Sequence, residues 1–122
     1  MRAGKGTKVK NDGGDQMRGL DITVKRQGPI ATVTLNRFTL SLDMLRELRE
    51  IASGFQDDLD TRIVILTGTS SFFSAGLDLK DPEIKKMLSG SLEERRERVL
   101  LGPRACRAWE ETSPVTIAAI EG

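Results

Sequence analysis

The amino-acid sequence predicts an α/β fold, and three stretches carry that expectation. Ile22 and Val24 alternate with polar neighbours, Gln27-Gly28-Pro29 interrupts them, and Ile30, Thr32, Val33 and Leu35 resume the series, as in a strand-turn-strand hairpin. Leu42, Leu45, Leu48, Ala52 and Phe55 recur at helical spacing. Ile63-Val64-Ile65-Leu66 is apolar at every position, the mark of a strand inside a parallel sheet covered on both faces.

The elements follow in order. Residues 1–19 hold five Gly, five Lys or Arg and two Asp with almost nothing apolar, too little to offset the entropy of ordering, so they are expected to form a disordered basic tail ahead of a folded part at 20–122. An organelle address is the alternative, opposed by Asp12, Asp15 and the lack of serine. After the hairpin, Ser41 stands at or near the N-cap of the first helix, with Asp43 in its first turn, and Asp57-Asp58-Leu59-Asp60 releases it. Thr67-Gly68-Thr69 ends the apolar strand and leads to Ser71-Phe72-Phe73-Ser74-Ala75-Gly76-Leu77-Asp78-Leu79. Asp78 is expected to cap a short helix near Leu79–Leu88, with Pro82 limiting where regular helix can start.

Ser91 opens a second helical stretch, in which Glu93-Glu94-Arg95-Arg96-Glu97-Arg98 reads as a solvated face rather than a phosphate-contacting patch. Gly102-Pro103 should kink or break that helix, and Cys106 and Trp109 fall on its apolar side, Cys106 as a small core residue rather than a nucleophile. Pro114 introduces a last strand over Val115–Ile120, apolar enough for an interior position.

Composition removes whole classes of chemistry. With 122 residues the chain fits one small domain or part of a larger one. A net charge of +1 with 30% charged residues gives no general attraction to nucleic acid or to an anionic membrane. The single Cys106 excludes an intrachain disulfide and favours a reducing compartment. No apolar run approaches the roughly 20 residues needed to span a bilayer, so the expected location is the cytoplasm, with an organelle matrix as the alternative. Without histidine or tyrosine, Ser-His and Cys-His nucleophile pairs and histidine metal sites are impossible within these residues, and a general acid or base must be Asp, Glu, Lys or Cys, or come from outside them.

The stretch around Gly76 joins the most apolar strand to an expected helix start, which leaves backbone N–H groups available to an anion. Thr67-Gly68-Thr69-Ser70-Ser71 superficially suggests a dinucleotide phosphate loop. The later glycines of that fingerprint are absent, and Phe72 and Phe73 stand where close backbone approach is wanted. Taken alone, Ala-Gly-x-Asp is also a common strand-to-helix turn.

Four ordered blocks give the stretch more meaning. Thr34-Leu35-Asn36-Arg37 with Leu40-Ser41-Leu42-Asp43-Met44-Leu45, then Ile63-Val64-Ile65-Leu66-Thr67-Gly68, Phe73-Ser74-Ala75-Gly76-Leu77-Asp78-Leu79-Lys80 and Pro114-Val115-Thr116-Ile117-Ala118-Ala119-Ile120-Glu121-Gly122, resemble the enoyl-CoA hydratase/isomerase (crotonase) family over about residues 20–122. The resemblance implies the N-terminal part only of a crotonase-like β-β-α spiral that binds acyl-CoA thioesters, with coenzyme A carried by the substrate and no separate cofactor. It implies that the Leu77 backbone N–H is one of two donors to the thioester oxygen. Ala75, Gly76, Leu77, Asp78 and Leu79 are then the backbone lining the CoA site. Such a hole needs donors fixed before charge develops and no particular side chain, so leucine can serve.

The family departs from this chain in two places. Its members have a longer loop where only Phe38 and Thr39 stand here, and they continue past Glu121-Gly122 into a glycine-rich turn with the second donor and then the acidic residues that move protons. Two readings follow: part of an enoyl-CoA hydratase or isomerase, or a non-catalytic acyl-CoA-binding or interaction module. Strands left uncovered are expected to favour self-association.

Overall fold

The computed structural model describes residues 20–122, so the tail expected at 1–19 lies outside the described residues. Strands β1 (Ile22–Gln27) and β2 (Ile30–Leu35) form the expected antiparallel hairpin, with Ile22 opposite Leu35 and Gln27 opposite Ile30. Gly28 turns it at φ +62°, a left-handed angle that costs glycine little. Helix α1 (Leu42–Gln56) crosses to β3 (Ile63–Thr67), which runs parallel to β2. Helices α2 (Pro82–Lys85) and α3 (Leu92–Glu110) lie in the next crossover, to β4 (Val115–Ala119), parallel to β3. The sheet order is β1-β2-β3-β4.

Side-chain alternation sends Ile22, Val24, Ala31, Val33, Leu35 and Val64 to one face of the sheet, where Met44, Leu48, Ile51 and Phe55 of α1 pack on them. Each such leucine or isoleucine, fully buried, stabilises the fold by about 1.5–3 kcal/mol. Ser41 caps α1 as expected, its hydroxyl accepting the Met44 N–H at 3.1 Å. Ser91 caps α3 in a capping box, accepting the Glu94 N–H at 3.1 Å while the Glu94 carboxylate accepts the Ser91 N–H at 2.9 Å. A smaller cluster of Leu42, Leu45 and Leu101, with Leu40, Ile84 and Met87 against it, joins α1 to α2 and α3.

Several expectations need correction. The short helix is only Pro82–Lys85, and Asp81 rather than Asp78 caps it, with Pro82 in the first turn. Helix α3 is not broken at Gly102-Pro103 but continues through it; Pro103 and Val99, four residues before it, are both exposed, so the bond that proline cannot make falls on the outer side of the helix. The packed stripe of α3 is Leu101, Ala105 and Ala108, so Cys106, one step off it, is exposed rather than in the core. Trp109 does pack against the main core. In β3 only Val64 is buried, so the strand is covered on one face instead of two; β4 is an edge strand exposed along its length.

A compact polar knot pins the end of α1 to the hairpin. The Asp58 carboxylate accepts Arg26 Nη1 at 3.0 Å, the Thr61 hydroxyl at 2.7 Å, and the N–H groups of Asp60 and Thr61 at 2.9 and 3.1 Å. Arg26 also lies over the Phe55 ring, 5.3 Å from its centroid. Burial pushes the Asp58 carboxyl up, but the bonds from Thr61, Arg26 and the two amides outweigh it and hold the group below the ordinary aspartate range.

Two predictions follow from these contacts. A depressed folded-state value means that the Asp58 contribution is complete above the unfolded aspartate value of about 3.9 and is lost as pH falls through the lower folded value. Asp58→Asn should therefore cost about 1–2 kcal/mol at neutral pH and less in acid, which thermal melts between pH 7 and 2 will show; a uniform loss across that range contradicts it. Gly68 is the tightest backbone approach, since a Cβ there would stand 2.6 Å from Phe73 Cα and 2.7 Å from its carbonyl oxygen, with the Phe72 carbonyl closer still. Gly68→Ala should cost about 1–3 kcal/mol by overpacking, while Gly54→Ala, at an open helical position in α1, should stabilise by up to about 1 kcal/mol; melts of the two variants moving in the same direction would contradict this.

Candidate functional site

Beyond β3 the chain folds back on itself. Thr69 bridges Phe72, and the Phe72 ring meets Phe38 edge-on with centroids 4.5 Å apart. That contact brings the residues after β2 alongside the segment after Phe73. The Ala75 N–H donates to the Phe38 carbonyl at 2.7 Å, the Leu40 N–H to the Gly76 carbonyl at 2.8 Å, and the Asp78 N–H to the Leu40 carbonyl at 2.9 Å. Leu40 and Leu77 are thereby paired as in a short parallel ladder.

This pairing decides where the Leu77 N–H goes. The Gly76 carbonyl and the Leu77 N–H belong to one planar trans peptide, so they point in opposite directions. With the carbonyl bonded to Leu40, the N–H faces away from Leu40, and it donates to no group among the described residues. Gly76 holds φ +94°, an angle that disfavours any side chain. Ala75, Gly76, Leu77 and Leu79 are exposed and Asp78 is half-buried, so the five residues singled out in the sequence form one accessible strip.

The charged groups around this strip are engaged with one another. Asp78 Oδ2 accepts Arg37 Nη2 at 2.8 Å, and its Oδ1 accepts the Lys80 N–H at 3.0 Å. Asp81 caps two helices at once, accepting the Leu42 N–H of α1 at 2.9 Å and the Glu83 N–H of α2 at 2.9 Å. Glu83 meets Arg46 Nη1 at 3.0 Å, and Arg46 also reaches Asp43 at 2.7 Å. The Arg46 hydrogen bond holds the Glu83 carboxyl below its usual range, and the same bond raises the guanidinium above its own. Arg98 Nη1 donates to the carbonyls of Lys86 at 2.9 Å and Ser89 at 2.8 Å, closing the turn after α2.

The helix start expected beside Leu77 is instead at Pro82, so the ladder, and not a helix dipole, sets the direction of this N–H. Asp81 and the partner of Arg37 are functional contacts beyond the sequence-based expectations. The Asp81-Pro82 dipeptide carried a signal for the first, an N-cap followed by proline at the first helical position. The second joins residues 41 positions apart and had none.

Comparison with known proteins agrees with this architecture. The family profile described as enoyl-CoA hydratase/isomerase matches residues 25–122. The enoyl-CoA hydratase EchA19 of Mycobacterium tuberculosis is 36% identical over 112 residues, covering 85% of this chain and 40% of the relative. A Dictyostelium discoideum protein named as a probable mitochondrial enoyl-CoA hydratase is 35% identical over 65 residues, half of this chain and 24% of its own. Among solved structures, an enoyl-CoA hydratase/carnithine racemase from Magnetospirillum magneticum superposes with a TM-score of 0.72 at 32% identity, over 84% of this chain and 39% of that one. The chain thus spans about two fifths of the length of the Mycobacterium relative, and the profile-matched residues 25–122 hold most of the hairpin, both crossovers and the strip at Ala75–Leu79. With a profile match over most of its length, this chain belongs to the enoyl-CoA hydratase/isomerase family.

Proposed function

We propose that the strip at Ala75–Leu79 binds an acyl-CoA thioester, with the Leu77 N–H donating to the thioester oxygen. The observation that carries this reading is a backbone N–H that is oriented by its own peptide plane, belongs to an exposed residue, and has no partner among the described residues. A donor fixed in advance pays no reorganisation cost when negative charge grows on the bound oxygen. Coenzyme A arrives as part of the substrate, so the reading calls for no separate cofactor. By likeness to the longer relatives, a protein of this family would hydrate or isomerise an enoyl-CoA through an enolate held at such a site, in the cytoplasm or an organelle matrix. Among the described residues no helix is long and apolar enough to cross a membrane.

The second reading, acyl-CoA binding without turnover, has its own support. Asp78, Asp81 and Glu83, the carboxylates nearest Leu77 in sequence, are each committed to an arginine or to helix N–H groups. A carboxylate so engaged is poorly placed to shuttle a proton.

Substitutions separate a backbone donor from a side-chain one. A Cβ at Gly76 would meet nothing within 4 Å, so the effect expected there is strain at φ +94° rather than obstruction within the chain. Gly76→Val should cost about 1–3 kcal/mol in backbone strain or relax it by turning the Leu77 peptide, abolishing thioester binding in calorimetric titration. Leu77→Ala should stay within a few-fold of the parent. Equal losses from the two variants would overturn the backbone-donor reading.

Self-association is proposed on the same footing. Its support is the edge strand β4, with Val115 and Ile117 exposed beside Ile63 and Ile65 in the register of the sheet and Ile120 exposed just after it. Sedimentation of the purified chain should show mass rising with concentration; a sharp monomer at tens of micromolar, roughly the range where exposed strands associate, would contradict it.

A further inference from the structure

We infer that the Arg37–Asp78 ion pair is a positioning device for the Leu77 N–H, an inference that rests on the thioester-binding reading above. Three backbone hydrogen bonds hold Ala75–Asp78 against Phe38–Leu40. Ala75, Gly76 and Leu77 are exposed, so apolar burial adds little to that short ladder, and a segment held in this way opens easily. Asp78 is the exception on the strip. Its side chain is only 15% exposed, against 38% for its partner Arg37, and its two oxygens hold the Arg37 guanidinium and the Lys80 N–H.

Arg37 is well anchored on the other side. It follows Asn36, whose N–H donates to the Asp21 carbonyl at 2.8 Å and whose side chain donates to the Leu20 carbonyl at 3.2 Å. The Asp21 carboxylate lies 3.9 Å from Arg37 as well. The ion pair therefore cross-links the rigid end of the hairpin to the residue immediately after Leu77. Together with the bond from the Asp78 N–H to the Leu40 carbonyl, it keeps the ladder in the register that turns the Gly76 carbonyl toward Leu40 and the Leu77 N–H away. Asp78 acts through the backbone of Leu77; it is a positioning residue and not an acid or base.

A pair of ligands tests this: a saturated acyl-CoA thioester and its thioether analogue, which lacks the carbonyl oxygen and keeps everything else. One well-aimed hydrogen bond to a neutral carbonyl corresponds to a thioester preference of about three- to tenfold in the parent chain. Arg37→Met should bring that preference close to unity with thioether affinity and melting temperature little changed, and should speed amide exchange at Asp78. Asp78→Asn, nearly isosteric and still able to accept the Lys80 N–H, should lose the preference too, and the double variant should lose no more than either single one. Variants that retain the parent's preference overturn this inference alone, as do variants that weaken both ligands equally while melting early. A parent chain with no preference overturns the thioester reading and this inference with it.

Discussion

One planar peptide, between Gly76 and Leu77, is the constraint on which the proposed chemistry depends. A backbone N–H in a folded protein normally finds a partner, so one left without a partner at an accessible position has to be held there by its surroundings. Here the surroundings act on the opposite end of the same peptide. The Gly76 carbonyl is bonded to Leu40, and planarity carries that orientation to the Leu77 N–H. Gly76 supplies the backbone angle at which the chain can make this turn, and the Asp78 bond to the Leu40 carbonyl prevents the segment from rotating as a whole.

Leu40 is suited to this role because of where it sits. It lies between the hairpin, which is anchored through Leu35 in the main core, and α1, whose first turn is buried through Leu42 and Leu45. Leu40 packs against both clusters. Asp81 adds a second tie: its carboxylate accepts N–H groups from the first turns of α1 and α2, so the segment leaving the strip is tied back to the helix that Leu40 precedes. Packing in the sheet-helix core thus reaches the strip through two short chains of hydrogen bonds, and rigidity in the core becomes direction at one N–H.

The elements with local signals were legible in the sequence. The hairpin, the Ser41 cap, the apolar face of α1, the parallel β3 and the Ser91 cap each follow from residues within one or two turns of one another. The strip at Ala75–Leu79 was legible as an ordered motif, though not the reason its N–H is free, which depends on pairing with Phe38–Leu40. The errors have a common form. Asp78 stands near a helix and so is expected as a cap, whereas Arg37, brought close only by the fold, captures its carboxylate. The apolar neighbours of Cys106 suggest a core position, but the buried stripe of α3 is Leu101, Ala105 and Ala108, set by the packing of α3 on the rest of the fold. Of the kink or break expected at Gly102-Pro103 the break does not occur, because propensity knows nothing of which side of the helix is exposed.

A backbone donor leaves the side chain at its own position free for other work. Leu77 is 44% exposed and Leu79 74%, two leucines at or near an unbonded N–H. Isolated exposed leucines need no explanation. On the proposed reading, however, these two, one carrying the donor and one two residues on, supply apolar surface to a thioester and the start of its acyl chain. Covering that surface with ligand removes water from around the N–H, and a hydrogen bond in a drier, lower-dielectric setting is electrostatically stronger than the same bond in solvent. On this argument the leucines matter through the water they exclude rather than through any contact of their own, and an alanine at position 77 weakens the site without redirecting it.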